Sequence, residues 1–520
     1  MSSPPPRHAV VIGGSLAGMC VARALADVVD RVTVVERDRF PDRPAVRGGV
    51  PQAHHLHVLV TAGQRALERL FPGIVDELHG AGAVPVAVPT DVLYLTATGW
   101  RQRFPATHRL VGASRELIDW TVHKRLSADA RIRFLPGHDV VGLLPAGSGS
   151  DGGNGSGDGS GSDGGNGSGN GSGSDGGNGN GNGSHEGNGP GDGSGSGDGD
   201  RAVGGVLLRA RGRTGEDGAG SGATGAVEEL AADLVVDASG RGSHAPDWLA
   251  ALGYPAPAET RIDAGLGYAS RRYVLPGSAL GDWKNILLMP DPPRSGRGGV
   301  LYPIENDRWM LTLGGLGDDR PPTDEEGFLE FARGLRSPVI YDAVRDARPD
   351  SPIHGFVQTS NHRRHYESMR RWPRGFVVVG DAICAFNPVY GHGMSVAAQT
   401  AVALGEHLRT RPPGAAPLDR TAQAVTARCA ALAWLVATGA DSRVPGATGA
   451  RPGLRDRLSH RYLDRVADVA NRDPYVSRVL TDVMHLIASP GALLRPGVMA
   501  RVARGRPGPA LLAPPEAESE

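Results

Sequence analysis

Apolar positions along this chain change their spacing several times, and each change marks an element. His8-Ala9-Val10-Val11-Ile12 is a continuous apolar run of strand length, the pattern of a strand covered on both faces of a parallel sheet. An alanine-rich stretch then predicts a helix to about Ala26, and Arg31-Val32-Thr33-Val34-Val35 predicts a second strand, closed by Glu36. Residues 61–78 read as helix with a break at Pro72-Gly73, because proline cannot continue a helical turn. Residues 114–128 place Leu117, Ile118, Thr121, Val122 and Leu126 on one helical face. Phe376-Val377-Val378-Val379 is another strand-like run, and a small-residue helix follows at 394–404.

Beyond position 243 the pattern shortens. Residues 261–274, 284–289, 299–303 and 309–314 predict strands separated by Pro/Gly turns, hence an antiparallel sheet. Residues 324–335 predict an amphipathic helix, 353–359 lead back toward the strand at Phe376, and helices are predicted at 421–437, 454–471 and 475–487. Residues 147–200 break every period: they are almost entirely Gly, Ser, Asn and Asp. Such a segment buries too little apolar area to offset its chain entropy and is expected to be disordered. Strands expected at 140–144 and 203–208 make it the tip of an enlarged hairpin. A calcium β-roll would need an apolar residue in each repeat, and the insert has none.

Two segments carry chemistry. Gly13-Gly14-Ser15-Leu16-Ala17-Gly18 follows the first strand and opens the first helix. With Glu36 it forms a dinucleotide fingerprint: a tight turn, a helix N-terminus for a pyrophosphate, and an acid for ribose hydroxyls. Ser15 stands at the middle glycine; its Cβ restricts backbone approach, while its hydroxyl can donate to a phosphate oxygen. A Gly-x-Ser-x-Gly nucleophile elbow is excluded by Ala17. The second segment is Gly380-Asp381-Ala382-Ile383-Cys384-Ala385-Phe386-Asn387-Pro388-Val389-Tyr390-Gly391-His392-Gly393. An aspartate at a strand end, a glycine-rich turn and a helix N-terminus can hold a polyol and a pyrophosphate. The pair reads as one FAD site built from opposite ends of the chain.

These stretches, with Arg47-Gly48-Gly49-Val50-Pro51-Gln52 and Val235-Val236-Asp237-Ala238-Ser239-Gly240-Arg241-Gly242-Ser243, resemble FAD-dependent monooxygenases of the aromatic-hydroxylase and squalene-epoxidase-like class. Within it the chain is most similar to actinobacterial epoxidases and hydroxylases of polyketide or terpenoid olefins. The resemblance implies an α/β (α+β overall) fold: a Rossmann-like FAD-binding domain, an inserted antiparallel-sheet substrate domain and a helical C-terminal region. It implies FAD contacts from Gly13, Ser15 and Gly18 (pyrophosphate) and Glu36 (adenosine ribose), with Arg37 near the adenine side. Arg47 to Val50 would pass beside the isoalloxazine. Arg115 would reach the phosphates or ribityl chain, and Val140 would meet adenine through its backbone. Asp381 would hold a ribityl hydroxyl, and Pro388, Gly391 and Gly393 would shape the loop under the pyrimidine edge. On this basis residues 7–60, 110–145, 201–250 and 372–410 form the FAD domain. Residues 61–109 and 251–371 form the substrate domain, and 411–504 the helical region; 505–520 are a disordered tail. Many relatives read Asp-Gly where this chain has Asp237-Ala238-Ser239-Gly240, which leaves that segment's part in NAD(P)H handling open.

The implied reaction uses NAD(P)H as co-substrate and O₂, through a flavin C4a-hydroperoxide, to epoxidise or hydroxylate a hydrophobic natural-product intermediate. Flavin does the difficult step. The protein must position the olefin and exclude water, so no catalytic acid or base is assigned.

Composition narrows the setting. The 520 residues exceed one core, and a net charge of −1 draws neither nucleic acid nor an acidic membrane. Lys124 and Lys284 are the two lysines, and the three cysteines, Cys20, Cys384 and Cys429, show no paired spacing. That implies a reducing compartment, with Cys384 first a small buried filler and second a redox group. No run has the ~18 apolar residues of a spanning helix, and no cleavage site follows the N-terminus, so a cytoplasmic protein is expected.

Several patterns admit two readings. His54, His55 and His57 are loop contacts beside the flavin or, without a completing carboxylate or cysteine, a poor metal set. His392 faces the flavin or solvent. Gly314-Gly315-Leu316-Gly317 is a turn rather than a second fingerprint, since Pro321-Pro322 follows. Arg363, Arg364, Arg370, Arg371 and Arg374 steer NAD(P)H phosphates or form a solvated basic face. Rival functions are a flavin-dependent reductase or dehydrogenase of an isoprenoid or polyketide, and a flavin-dependent halogenase. The halogenase would need a tunnel lysine and a second tryptophan that Gly99-Trp100-Arg101-Gln102 lacks. A non-enzymatic partner-binding role for the insert lacks anchor residues. Excision of the insert is expected to leave an equally folded protein, because loop-closure cost grows slowly with length; loss of the melting transition would contradict this.

Overall fold

The computed structural model describes residues 7–147, 202–212, 223–275, 281–410, 420–449, 453–505, 511 and 513–516. The repetitive insert beyond Gly147 therefore lies outside the described residues, as does part of the tail.

A five-stranded parallel sheet organises the molecule, in the order Phe376–Val378, Leu234–Asp237, His8–Ile12, Arg31–Glu36 and Ile132–Pro136. Its side chains alternate between two cores. Ala9, Val11, Val32, Val34, Val236 and Val377 face a core shared with the helices Leu16–Leu25, Arg115–Ser127 and Gly393–Arg409. Val10, Ile12, Val35, Val235, Phe376 and Val378 face another, built with Trp248, Trp372 and helix Arg420–Asp441. Burial on both faces explains why the inner strands are mostly apolar, Thr33 excepted within them, while the edge strand Ile132–Pro136 carries an exposed Arg133. The expected hairpin around the insert forms: His138–Pro145 pairs antiparallel with Val203–Arg211, Val140 opposite Leu208.

The fold is thus mixed α/β, with a Rossmann-like sheet beside an antiparallel one. The second sheet is eight-stranded and runs from Leu266–Val274 through Arg308–Leu316, Gly298–Ile304 and Asn285–Leu288 to Val92–Thr96 and the edge strand Gly99–Trp100; it is antiparallel except where Asn285–Leu288 pairs parallel with Val92–Thr96. One face, with Leu93, Leu95, Ile286, Leu301, Leu311 and Leu313, packs under Phe328, Phe331 and Ile340 of two covering helices. The other carries an in-register row of Tyr94, Leu287, Val300, Thr312, Ser270 and His354.

Four local expectations change. The strand expected over 261–274 is two strands in different sheets. Asp263 Oδ1 accepts from Gly265 N at 2.8 Å, and Gly265 takes φ +67°, so the chain turns and Glu259–Ile262 pairs with Asn361–Arg364 instead. Gly314 and Gly315 continue a strand rather than forming a turn. A Cβ on Gly315 would lie 1.7 Å from Asp319 O, so the glycine serves close backbone packing. The strands within 84–112 and the final helix Pro496–Arg504 have no counterpart in the sequence reading. Lastly, the described part of the tail is docked: Trp100 N donates to Leu511 O at 3.2 Å, and Leu511 packs on the outer core of the sheet. The edge strand's free donors supply that contact.

The tightest backbone contact in the nucleotide-type fold is at Gly18, where a Cβ would stand 1.9 Å from Gly13 O. Gly18→Ala should therefore force helix and strand apart and cost at least 1–3 kcal/mol, roughly the overpacking range; an unchanged melting temperature would show that this contact is slack.

Candidate functional site

The ends of the strands His8–Ile12, Arg31–Glu36, Leu234–Asp237 and Phe376–Val378 lie along one edge of the parallel sheet, because all four run in the same direction. Glu36 and Asp381 follow strands three spacings apart, about 14 Å at ~4.8 Å per strand. The two motif segments therefore share one edge. They also touch: Gly380 lies so near the fingerprint helix that a Cβ would be 3.0 Å from Ala17 Cβ.

On the N-terminal side, Gly13 adopts φ +99°, and a Cβ there would meet Ala238 O at 2.7 Å. Only glycine satisfies both conditions. Ser15 is the N-cap of the fingerprint helix, yet its hydroxyl caps nothing; it accepts from Arg115 Nη2 at 2.8 Å. Arg115 is held in turn by Asp119 at 2.7 Å. Glu36 Oε2 accepts from Gly14 N at 2.6 Å and Oε1 from Asp38 N at 2.9 Å. Arg37 reaches outward to Gly49 O at 3.1 Å.

The buried Arg47 guanidinium donates to Gly14 O at 3.0 Å and stands 3.4 Å from Glu36 and 4.8 Å from the Phe40 ring centroid, so it lies against the fingerprint turn. Arg47 Nη1 is enclosed without a hydrogen-bond partner. Val50 is buried and lines a cavity of about 20 Å³ with Arg47, Asp119 and Trp120. Val140 sits on the insert hairpin, packed against the second core.

On the C-terminal side, Asp381 lies in a short 3₁₀ turn, Gly380–Ala382. Its carboxylate takes no hydrogen bond from any described residue. Burial raises its pKa, while Arg241 and Arg115 pull it back down. The loop that follows is bolted at several points. Arg241 donates to Ser360 O at 2.7 Å and Phe386 O at 3.0 Å. Asp441, at the end of its helix and 3% exposed, accepts from Asn361 at 2.6 Å, Asn387 at 2.9 Å and the Tyr390 hydroxyl at 2.6 Å. Pro388 opens a 3₁₀ turn capped by Asn387, Gly391 takes φ +65° beside Val58, and Gly393 begins the following helix. A Cβ on Gly393 would be 3.9 Å from Asp381 Oδ1, so the loop closes over the aspartate. Arg241, Asn361 and Asp441 are scattered polar residues whose sequence context carries no signal of this role.

Other candidates resolve into structural parts. Asp237 accepts from Ser239 N and from the Ser239 and Ser243 hydroxyls, so it organises its own turn. Cys384 is buried and its thiol is pushed far above the usual range by that burial. Arg363 and Arg364 are paired with Glu367 and Glu259 rather than forming a solvated face. His392 is 2% exposed and shares a 3.0 Å hydrogen bond with Met484 O, which corrects the solvent-facing reading. His54 stacks on His354, and His55 shares a 2.9 Å hydrogen bond with Ser270. Among the described residues no group of His, Cys, Asp and Glu could hold a metal ion, and no helix is long and apolar enough to cross a membrane.

No family model matches the chain. Protein Rv3254 of Mycobacterium tuberculosis is 29% identical over 489 residues, which cover 91% of this chain and 88% of that protein. Among solved structures, pqsL, a probable FAD-dependent monooxygenase from Pseudomonas aeruginosa, superposes with a TM-score of 0.52 at 17% identity, over 84% of this chain and 95% of its own. A flavoprotein/dehydrogenase from Cytophaga hutchinsonii superposes with a TM-score of 0.57 at 13% identity, over 97% of each chain. The fold is therefore one that flavin-dependent monooxygenases adopt.

Burial holds the His55 pKa down at about 4 and that of His57 at about 3, below the ordinary ~6.5. The unfolded chain therefore takes up protons that the folded chain refuses as pH falls from about 6.5 toward 4. Stability should fall across that window. His55→Asn should reduce the protons linked to unfolding near pH 5 by about one, measured by melting at successive pH values; an unchanged slope would exclude the assignment.

Proposed function

We propose that this chain is an FAD-dependent monooxygenase that takes electrons from NAD(P)H and inserts oxygen from O₂ into a hydrophobic natural-product intermediate. The observation that supports the FAD assignment is that the two motif segments meet: a Cβ on Gly380 would be 3.0 Å from Ala17 Cβ of the fingerprint helix, at whose N-cap Arg115 donates to Ser15 at 2.8 Å.

The residues present fit the dinucleotide. The first turn of the fingerprint helix, with no acidic residue, offers free N–H groups to a pyrophosphate. Arg47, whose Nη1 is ion-paired with Glu36 at 3.4 Å but donates no hydrogen bond, and the Arg115 guanidinium would supply the countercharge. Glu36 would take the adenosine ribose, with Arg37 and Val140 toward the adenine. Asp381, whose carboxylate takes no hydrogen bond from any described residue, would accept from a ribityl hydroxyl. Pro388, Gly391 and Gly393 would carry the loop under the ring, and Val50 would wall the same groove. When bound, FAD supplies the redox chemistry and the activation of oxygen. This chain binds and orients it, keeps the loop rigid through Asp441, and offers the inner face of the antiparallel sheet to the substrate.

A halogenase is disfavoured by both lysines. Lys284 is paired on the surface with Asp91 at 3.0 Å, and Lys124 lies 5.3 Å from the Trp120 ring centroid and is exposed. A reductase or dehydrogenase is the closer alternative. Asp381→Ala should purify with at least tenfold less bound flavin than wild type, read from the visible spectrum; a fully yellow variant would contradict the site. With wild type, oxygen uptake matched by an oxygenated product distinguishes the monooxygenase from a reductase, which would yield a saturated product instead.

A further inference from the structure

Arg101 has no structural counterpart to its charge. It is 8% exposed, yet among the described residues its guanidinium makes neither an ion pair nor a hydrogen bond. Its Nε is enclosed without a partner. Its one close contact is the Tyr94 ring, 4.6 Å from the guanidinium carbon to the centroid. A cation–π contact offsets only part of the cost of burying an uncompensated charge. Burial lowers the arginine's pKa accordingly.

The position matters as much as the charge. Trp100 belongs to the outer core of the antiparallel sheet, so Arg101 is placed with Tyr94 on the opposite, inner face. Tyr94 heads the in-register row that crosses this face through Leu287, Val300 and Thr312 to Ser270. The row spans four strand spacings, about 19 Å, from a cation at one end to small apolar and hydroxyl side chains along the rest. Tyr94 and Val58 pack against the same small core of Val86, Val92, Leu110 and Tyr302, and Val58 is the residue that Gly391 of the flavin-type loop approaches. Arg101 is felt electrostatically at His485, which shares a 2.9 Å hydrogen bond with Thr61. The unpaired cation therefore borders the same loop region as the proposed flavin.

We propose that Arg101 is the anion-binding end of the substrate site, and that the substrate is an elongated apolar carboxylate whose acid group meets this guanidinium while its body lies along the row toward Ser270. A planar guanidinium fork matches a carboxylate in a bidentate pair, and the ligand would supply the missing countercharge. This inference rests on the flavoprotein reading and assigns the substrate class of that site.

The test uses FAD-loaded protein titrated with decanoate and with methyl decanoate, followed by flavin absorbance and melting temperature. Decanoate should bind wild type at least tenfold more tightly than Arg101→Met, and the ester should bind both alike. Without ligand, Arg101→Met should melt at the same temperature as wild type or higher, since it removes an unpaired buried charge. Arg101→Lys, which keeps the charge but not the fork, should fall between. Equal decanoate affinity in wild type and Arg101→Met overturns the proposal, as does no decanoate binding up to its solubility limit. A variant that melts several degrees lower, or fails to fold, overturns it by showing a structural arginine. Loss of NADPH or bromide binding with decanoate affinity unchanged also overturns it, by assigning the cation to another anion. Wild-type protein that takes up no FAD would instead defeat the flavoprotein reading itself.

Discussion

Backbone meets backbone where the two ends of this chain converge, and most of the molecule is arranged around that approach. A side-chain carbon at Gly18 would collide with Gly13 O, one at Gly13 with Ala238 O, and one at Gly63 with Ser395. The fingerprint helix and the helix Gly393–Arg409 also close on each other through Ala24 and Gly405. Contacts of this kind leave no room for a side chain to yield, so they set helix positions to within a few tenths of an ångström. The helix N-termini, Arg115 and Asp381 inherit that precision. A ligand groove along the sheet edge needs it, since hydrogen bonds to a phosphate or hydroxyl tolerate little error.

The second constraint is polar. Asp441 is a carboxylate buried at the end of a long helix, and its raised pKa reflects that burial, opposed by hydrogen bonds from Tyr390, Asn387 and Asn361. Such a network is costly unless each group is paired. Here three donors pair it, and the pairing joins the loop after Asp381 to a C-terminal helix and to the strand returning from the antiparallel sheet. The C-terminal helices are therefore part of the site's frame. His392, bonded to Met484 O, ties the same loop to a further helix.

The antiparallel sheet divides its faces by function. The outer face is mostly aliphatic and aromatic under two helices, with Arg271 paired at 3.2 Å to Glu325 of one of them. The inner one mixes Tyr94, Thr312, Ser270 and His354 with Leu287 and Val300, and has Arg101 beside it. Period-two alternation produces both faces from the same strands. Apart from the buried Ser270, the residues of this mixed face are half-buried, which suits a surface that meets a ligand.

Much of this was legible from residues alone. Apolar runs identified three of the five parallel strands, because strands covered on both sides leave few polar positions, whereas Ile132–Pro136 and Leu234–Asp237 were not read as strands. Glycine spacing located both halves of the candidate site, because close approach and positive φ exclude other residues. Strand-length patterns outlined the antiparallel sheet, though the split at Gly265 and the short strands within 84–112 escaped notice. Tertiary structure alone decided which distant polar residues meet. Arg47 lies against Gly14 and Glu36, Asp441 gathers Asn361, Asn387 and Tyr390, and Arg101 is buried with no acid beside it among the described residues. Local sequence encodes backbone preference and hydrophobic period, but the pairing of charges depends on contacts hundreds of residues apart, which no local pattern records.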